Sequence, residues 1–253
     1  MDMNKDEFIR NFRNAFGDYE LPVAMWYSEK PAGQEEKTRG CFIGYLKPAR
    51  EGRNIVSLCA ENLSCQGSKV YCGFTEMPPF IPNYVSGKEH YKKSPKMVVD
   101  FIANLDMTDK SNQYINFASI NQIESFDQIE ALIFFATPDV LTGLVSWALY
   151  DTDEPNAVSV PFGSGCSSIV SQSVVENRKN GKRVFLGLLD PSVRSHVEPN
   201  ILSLAVPLSR FKEMYFTFND SCLSGTHAWK KVKERIVNSG LQSATHNSEF
   251  SNS

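Results

Sequence analysis

No run of apolar residues in this chain approaches the roughly 18–20 that a membrane-crossing helix needs. No secretory signal is evident either, because Met1-Asp2-Met3-Asn4-Lys5-Asp6-Glu7 is polar where such a signal carries its apolar centre. These two gaps lead to the expectation of a cytoplasmic protein with no membrane partner. Basic charge is not in excess: 26 Lys and Arg stand against 29 Asp and Glu, a net charge of −3. With no basic stripe interleaved with aromatics, a nucleic-acid partner held through its phosphates is not expected. The Gly-Lys-Ser/Thr ending of a Walker loop and the GxGxxG dinucleotide fingerprint are both missing. No CxxC pair occurs, and Asp151, Asp153 and Glu154 lack the twelve-residue ligand pattern of a calcium loop. Histidine is scarce, at 4, with His246 in the tail.

The chain has the balance of an ordinary globular protein, 42% hydrophobic and 22% charged over 253 residues. Phe8, Ile9, Phe12 and Phe16 recur at helical spacing and are stopped by Gly17, predicting a first amphipathic helix over 5–16. Apolar runs at 21–27, 55–59, 114–120, 131–136, 184–189 and 201–206 read as strands. Of these, Ala131 to Ala136 is continuous enough to be covered on both faces. Ser94-Pro95 and Thr137-Pro138 read as helix starts, a capping residue followed by a proline whose fixed φ suits the first turn. Final helices are predicted at 208–218 and 226–237. The prolines of Met77-Pro78-Pro79-Phe80-Ile81-Pro82 predict an irregular covering loop, with Tyr84 and Tyr91 nearby. No internal repeat is detectable. The alternation of strands and helices predicts an α/β (or α+β) fold, a mixed sheet with helices packed on it in a single compact body. The domain is expected to cover residues 1–239, and the Ser/Asn-rich stretch 240–253 to be a disordered tail.

Six cysteines with no export signal are expected to be thiols and not a disulfide framework. The most informative stretch is Val158-Ser159-Val160-Pro161-Phe162-Gly163-Ser164-Gly165-Cys166-Ser167-Ser168, a short strand, a glycine-bracketed turn and a helix start. Glycines there can take the positive φ of a sharp turn. A thiol in the first turn of a helix sits in the positive end of the dipole, which favours thiolate. Cys166 is therefore the candidate nucleophile, redox centre or metal ligand. Cys65, in a second polar loop after a strand, is its candidate partner, with Cys41 or Cys72 as further ligands of an iron–sulfur cluster or transition metal. His196 is the most plausible of the histidines as a base for a catalytic cysteine.

The same stretch also reads as an anion cradle. Gly163, Ser164, Gly165, Ser167 and Ser168 would offer backbone N–H groups and hydroxyls to a phosphate or carboxylate, and Arg50 or Arg194 would add charge-assisted bonds. Glu61 and Asp190 are a weaker acid/base pair. The aromatic residues Trp26, Tyr27, Phe80, Tyr84 and Tyr91 read as core and lid packing. Two functional readings stay open. In one, a small anionic ligand or cofactor lies in a cleft between the Cys65 and Cys166 loops, with thiol or metal chemistry. In the other, a non-catalytic binding module has purely structural cysteines. The expected partners are a small-molecule ligand and, at most, a second copy of the chain in a homo-oligomer.

Several short motifs keep a common order along the chain: Leu21-Pro22-Val23-Ala24, Ala49-Arg50-Glu51-Gly52, Cys65-Gln66-Gly67 with Gly73 following, Thr137-Pro138, Gly165-Cys166-Ser167-Ser168 and Val206-Pro207-Leu208. In these the chain resembles the uncharacterised ArCR family, domain of unknown function number 169, over roughly residues 5–235. The resemblance implies one shared architecture and lends no activity. Some relatives in that family carry a further cysteine just after the glycine corresponding to Gly187, where this chain has Leu188-Leu189-Asp190.

Overall fold

A computed structural model describes residues 3–105, 107–108, 113–161 and 165–249, with side chains described as far as residue 239. Eight strands form one mixed sheet: β1 (Val23–Ser28), β2 (Gln34–Glu35), β3 (Val56–Leu58), β4 (Tyr114–Ser119), β5 (Ala131–Ala136), β6 (Val158–Ser159), β7 (Val184–Gly187) and β8 (Leu202–Pro207). Their spatial order is β2-β3-β4-β1-β5-β8-β7-β6. The pairs β2–β3 and β6–β7 are parallel and the others antiparallel.

That order contains a repeat the sequence hides. β1-β4-β3-β2 and β5-β8-β7-β6 are the same four-strand arrangement, and their registers coincide residue for residue. Val23 faces Ser119 as Ala131 faces Pro207, and Val56 faces Phe117 as Phe185 faces Ala205. In the edge pairs Gln34 faces Val56 as Ser159 faces Phe185. At the junction Val23 pairs with Ile133 and Met25 with Ala131, so the central pair Ala24–Leu132 maps onto itself. A pseudo-two-fold axis passes between those two residues.

One face of the sheet is covered by α1 (Lys5–Phe16), α6 (Pro138–Ala148), α9 (Leu208–Thr217) and α10 (His227–Glu249). Their apolar faces meet Ala24, Leu132, Phe134 and Leu204 in an aromatic core built from Phe8, Phe12, Phe16, Trp147, Phe211 and Trp229. Asn4 caps α1 by accepting the Glu7 N–H, and Gly17 ends it at φ +70°. Trp147 is fully buried and its indole N–H donates to the Met214 carbonyl at 2.8 Å, joining α6 to α9.

The other face carries the crossovers of both halves. Between β2 and β3 lie a 3-10 turn (Phe42–Leu46) and α2 (Lys47–Arg50). Between β6 and β7 lie a π-helical turn (Ser167–Ser171) and α7 (Gln172–Arg178). Phe42, Ile43, Leu46, Ile169, Val170 and Val174 pack together on Met25, Phe117, Ile133 and Phe185. The remaining elements on this side are α3 (Gln66–Tyr71), α4 (Ile81–Gly87), α5 (Pro95–Ala103) and α8 (Pro191–Arg194).

The covering loop expected at 77–82 is partly a helix: Pro82 sits in the first turn of α4, where its missing N–H has no partner to lose. α5 starts as predicted, Ser94 accepting the Met97 N–H, yet it buries Val98 and leaves Met97 exposed. The tail at 240–253 lies outside the residues whose side chains are described.

Candidate functional site

The spacing that sets Gln34 on Ser159 also sets Gly40-Cys41 on Gly165-Cys166, so each half begins its crossover with a Gly-Cys pair. A Cβ on Gly165 would come within 3.0 Å of Ile43 Cδ1 and of Leu188 Cδ2. Gly165 and Cys166 are already wound into a helical turn. The glycine is therefore accounted for by close packing of one crossover against the other. Gly163 and Ser164 lie outside the described residues.

Cys166 is 4% exposed and belongs to the same hydrophobic cluster as Ile43, Ile169, Leu188 and Val193. An open, activated thiol at this helix start is thus corrected to a buried sulfur. The helix continues as a wide turn, with the Gln172 N–H reaching back to the Ser167 carbonyl. Ser168 Oγ donates to the Gly165 carbonyl at 3.0 Å, and the buried Ser167 hydroxyl has no hydrogen-bond partner among the described residues. Neither hydroxyl is presented to an external anion.

The two arginines expected to hold an anion are engaged inside the protein. Arg50 is 6% exposed, donates to both oxygens of Glu20 at 2.9 and 3.1 Å, and donates to Glu198 at 2.8 Å. Its guanidinium also lies over the Phe135 ring, 4.8 Å from the centroid. Burial pushes Glu198 up, and the Arg50 hydrogen bond and charge outweigh it, holding the carboxyl below its ordinary range. Arg194 donates to four backbone carbonyls, those of Leu188, Glu198, Pro199 and Ile201, and so fastens the 188–201 loop. The anion contacts assigned to Arg50 and Arg194 are corrected to structural bonds.

Cys65 is half-buried at the start of α3, and it lines a cavity of about 270 Å³. Asp190 and Ser192 at the start of α8 also line it, together with Tyr84, Val85, Val98, Phe101 and Ile102 of the α4–α5 pair. Cys65 and Asp190 open the helices that follow β3 and β7, so corresponding places in the two halves both contribute to the lining. Cys41 and Cys72 lie close to Cys65. Burial pushes the Cys41 thiol up to about 11, with further upward contributions from Cys65 and Asp190. Complete burial, then Cys41 and Cys65, push Cys72 higher still. Both are held as neutral thiols. Among the described residues no group of three or more His, Cys, Asp or Glu is arranged to hold a metal ion, so the Cys65, Cys166 and Cys41 ligand set is not assembled as one. His196 stands exposed against Gly40, its Cε1 3.4 Å from where a Cβ would lie.

Asp190 is the residue whose weight the sequence understates. Leu188, just before it, is buried with φ +65°, a left-handed conformation that costs a β-carbon residue about 1–2 kcal/mol. That turn brings Asp190 off the end of β7 to the cavity wall at 3% exposure. Its Oδ1 accepts a short hydrogen bond from Ser192, and its enclosed Oδ2 has no hydrogen-bond partner among the described residues. An aspartate followed by proline reads as a helix cap, yet this one accepts no backbone N–H of α8 and bonds only the Ser192 hydroxyl. Tyr84 and Tyr91 line the cavity, whereas Trp26 belongs to the core of the opposite face. Glu61, the other half of the proposed acid/base pair, is exposed and is not among the residues that line the cavity. An adjoining cavity of about 350 Å³ shares Met77 and Ile102, and its acidic residue, Glu76, is exposed.

The family model described as uncharacterised ArCR, domain of unknown function 169, matches residues 12–216. The chain belongs to that family. The match covers the whole eight-stranded sheet, Cys65 and Asp190. No curated protein and no solved structure matches the chain. Membership of the ArCR family therefore brings no substrate or reaction, and the chemistry rests on the residues themselves. Among its described residues no helix is long and apolar enough to cross a membrane.

Proposed function

We propose that this ArCR-family protein binds a small molecule in the cavity lined by Cys65 and Asp190. The single observation that carries the reading is a mostly apolar hollow of about 270 Å³ whose lining brings Cys65, Asp190, Ser192, Tyr84, Tyr91 and Phe101 together. A concave apolar site with a few converging polar groups is the usual form of a small-molecule site. The anionic ligand expected from the sequence loses its support here, since Arg50 and Arg194 are engaged elsewhere. Thiol chemistry on the bound molecule is the second reading, and it moves from Cys166 to Cys65, the cysteine on the cavity wall.

The test is ligand-observed NMR with single-ring fragments, before and after capping Cys65 with N-ethylmaleimide. Fragments are expected to bind the free protein and to be displaced by the maleimide group. Equal binding to capped and uncapped protein would contradict the reading.

A further inference from the structure

We propose that Cys41 and Cys65 form a reversible disulfide when the protein meets a small disulfide oxidant, a thiol switch beside the cavity. The inference stands on the placement of the two cysteines and does not depend on what the cavity binds. Residues 38–40 and 62–64 are laced together. The Thr38 N–H donates to the Asn62 carbonyl at 2.9 Å, the Ser64 N–H to Thr38 Oγ1 at 3.0 Å, and the Gly40 N–H to Ser64 Oγ at 2.7 Å. Cys41 and Cys65 are the next residues on the two laced segments. Both have extended backbone, φ −68° and ψ 124° against φ −78° and ψ 122°, and each immediately precedes a helical turn. Both are half-buried. The charge of Cys65 also helps to push the Cys41 thiol up, so the two sulfurs feel one another.

Cys72 is the third thiol of this region and a poorer partner for Cys65. It ends the helix that Cys65 opens, and at a helical rise of about 1.5 Å per residue their Cα atoms stand about 10 Å apart. A disulfide needs Cα atoms roughly 4.4–6.8 Å apart. Cys72 is also wholly buried, out of reach of a dissolved oxidant. In the second half Cys166 takes the place of Cys41, but Asp190 opens α8 where Cys65 opens α3, so the pair belongs to the first half alone. With oxidised glutathione as the oxidant, the Cys65 thiolate attacks one of its sulfurs, expels one glutathione thiolate and leaves a mixed disulfide on Cys65. The Cys41 thiolate then attacks the Cys65 sulfur and expels the second glutathione. The two protons given up by the protein thiols pass through solvent to the two glutathiones, so one oxidised glutathione becomes two reduced ones.

The test incubates the full chain with oxidised glutathione at pH 8 without denaturant, alkylates the remaining thiols and maps the peptides by mass spectrometry. Trypsin with Glu-C separates the cysteines, because cleavage after Glu61 parts Cys59 from Cys65. Cys41 and Cys65 are expected to lose alkylation together and to appear as one linked peptide pair, and dithiothreitol should restore both. Cys41→Ser should stop the reaction at a glutathione adduct on Cys65, and Cys72→Ser should leave the linked pair unchanged. Should a variant fail to fold, the peptide map of the unaltered protein decides. A lasting glutathione adduct on Cys65 with Cys41 still free, a bond from either cysteine to Cys72, or a Cys41–Cys65 link that forms only in urea would overturn the proposal. So would full alkylation of both cysteines after oxidation. Each of these results leaves fragment binding in the cavity, and with it the small-molecule reading, untouched.

Discussion

Replacing Arg50 with methionine tests whether its guanidinium is structural. The side chain is 5% exposed and makes three charge-assisted hydrogen bonds, two to Glu20 and one to Glu198, besides lying over Phe135. A wholly buried pair broken on one side costs about 3–5 kcal/mol. Here Glu20 and Glu198 are 38% and 46% exposed, so each recovers much of its hydration once the arginine is gone. Methionine also keeps part of the contact with Phe135. Discounted in this way, Arg50→Met is expected to destabilise the fold by about 2 kcal/mol, or roughly 4–8 °C in melting temperature for a domain of this size. Urea unfolding at pH 7 measures it.

The effect should shrink in acid. Glu198 has a folded-state pKa below its unfolded one, so its contribution is full above the ordinary carboxylate pKa and is lost as pH falls through the depressed value. The unaltered and variant proteins should therefore converge below about pH 4. A loss under about 0.5 kcal/mol at pH 7, within the range of an ordinary surface substitution, would refute the reasoning and return Arg50 to the pool of ligand contacts.

Cys65 should label fastest with a disulfide reagent at pH 8 among the cavity-side cysteines, and Cys65→Ser should remove that phase. Cys41, pushed up to about 11, should gain reactivity about tenfold per pH unit until it titrates, while Cys166 and Cys72 stay silent until unfolding. Gly187→Ala would put a Cβ 2.0 Å from Ser168 Oγ and 3.0 Å from Ser203 Oγ, between two buried residues. It should cost about 1–3 kcal/mol by thermal melting, and an unchanged melt would contradict the close contact of β7 with the crossover. Gly143→Ala would drive a Cβ to 2.3 Å from the buried Trp229 ring, so lower stability with altered tryptophan fluorescence is expected.

The elements were legible where periodicity and capping agree. The 5–16 helix, the all-buried strand at 131–136 and the Ser94-Pro95 helix start stand where the residues place them. α4 was masked by prolines that read as breakers, although Pro82 occupies the one turn of a helix that tolerates it. The duplication was invisible because a sheet register depends on which face is buried and not on residue identity. Across the two crossovers little beyond the Gly-Cys pair is shared. Arg50 could not be read correctly, since its partners Glu20 and Glu198 lie on distant parts of the chain. Cys166 misled for a related reason: a glycine beside a thiol signals a turn or a tight packing contact equally well, and here Ile43 and Leu188 decide for packing. Asp190 was seen, but an Asp-Pro helix start is its own sufficient explanation until the missing cap bond is noticed.

The most direct measurement is a crystal structure of the full chain grown with a single-ring fragment that the NMR test finds bound. The ring is expected in the hollow beside Cys65, in contact with Tyr84 and Phe101. A fragment bound elsewhere, with the hollow beside Cys65 empty, would contradict the assignment.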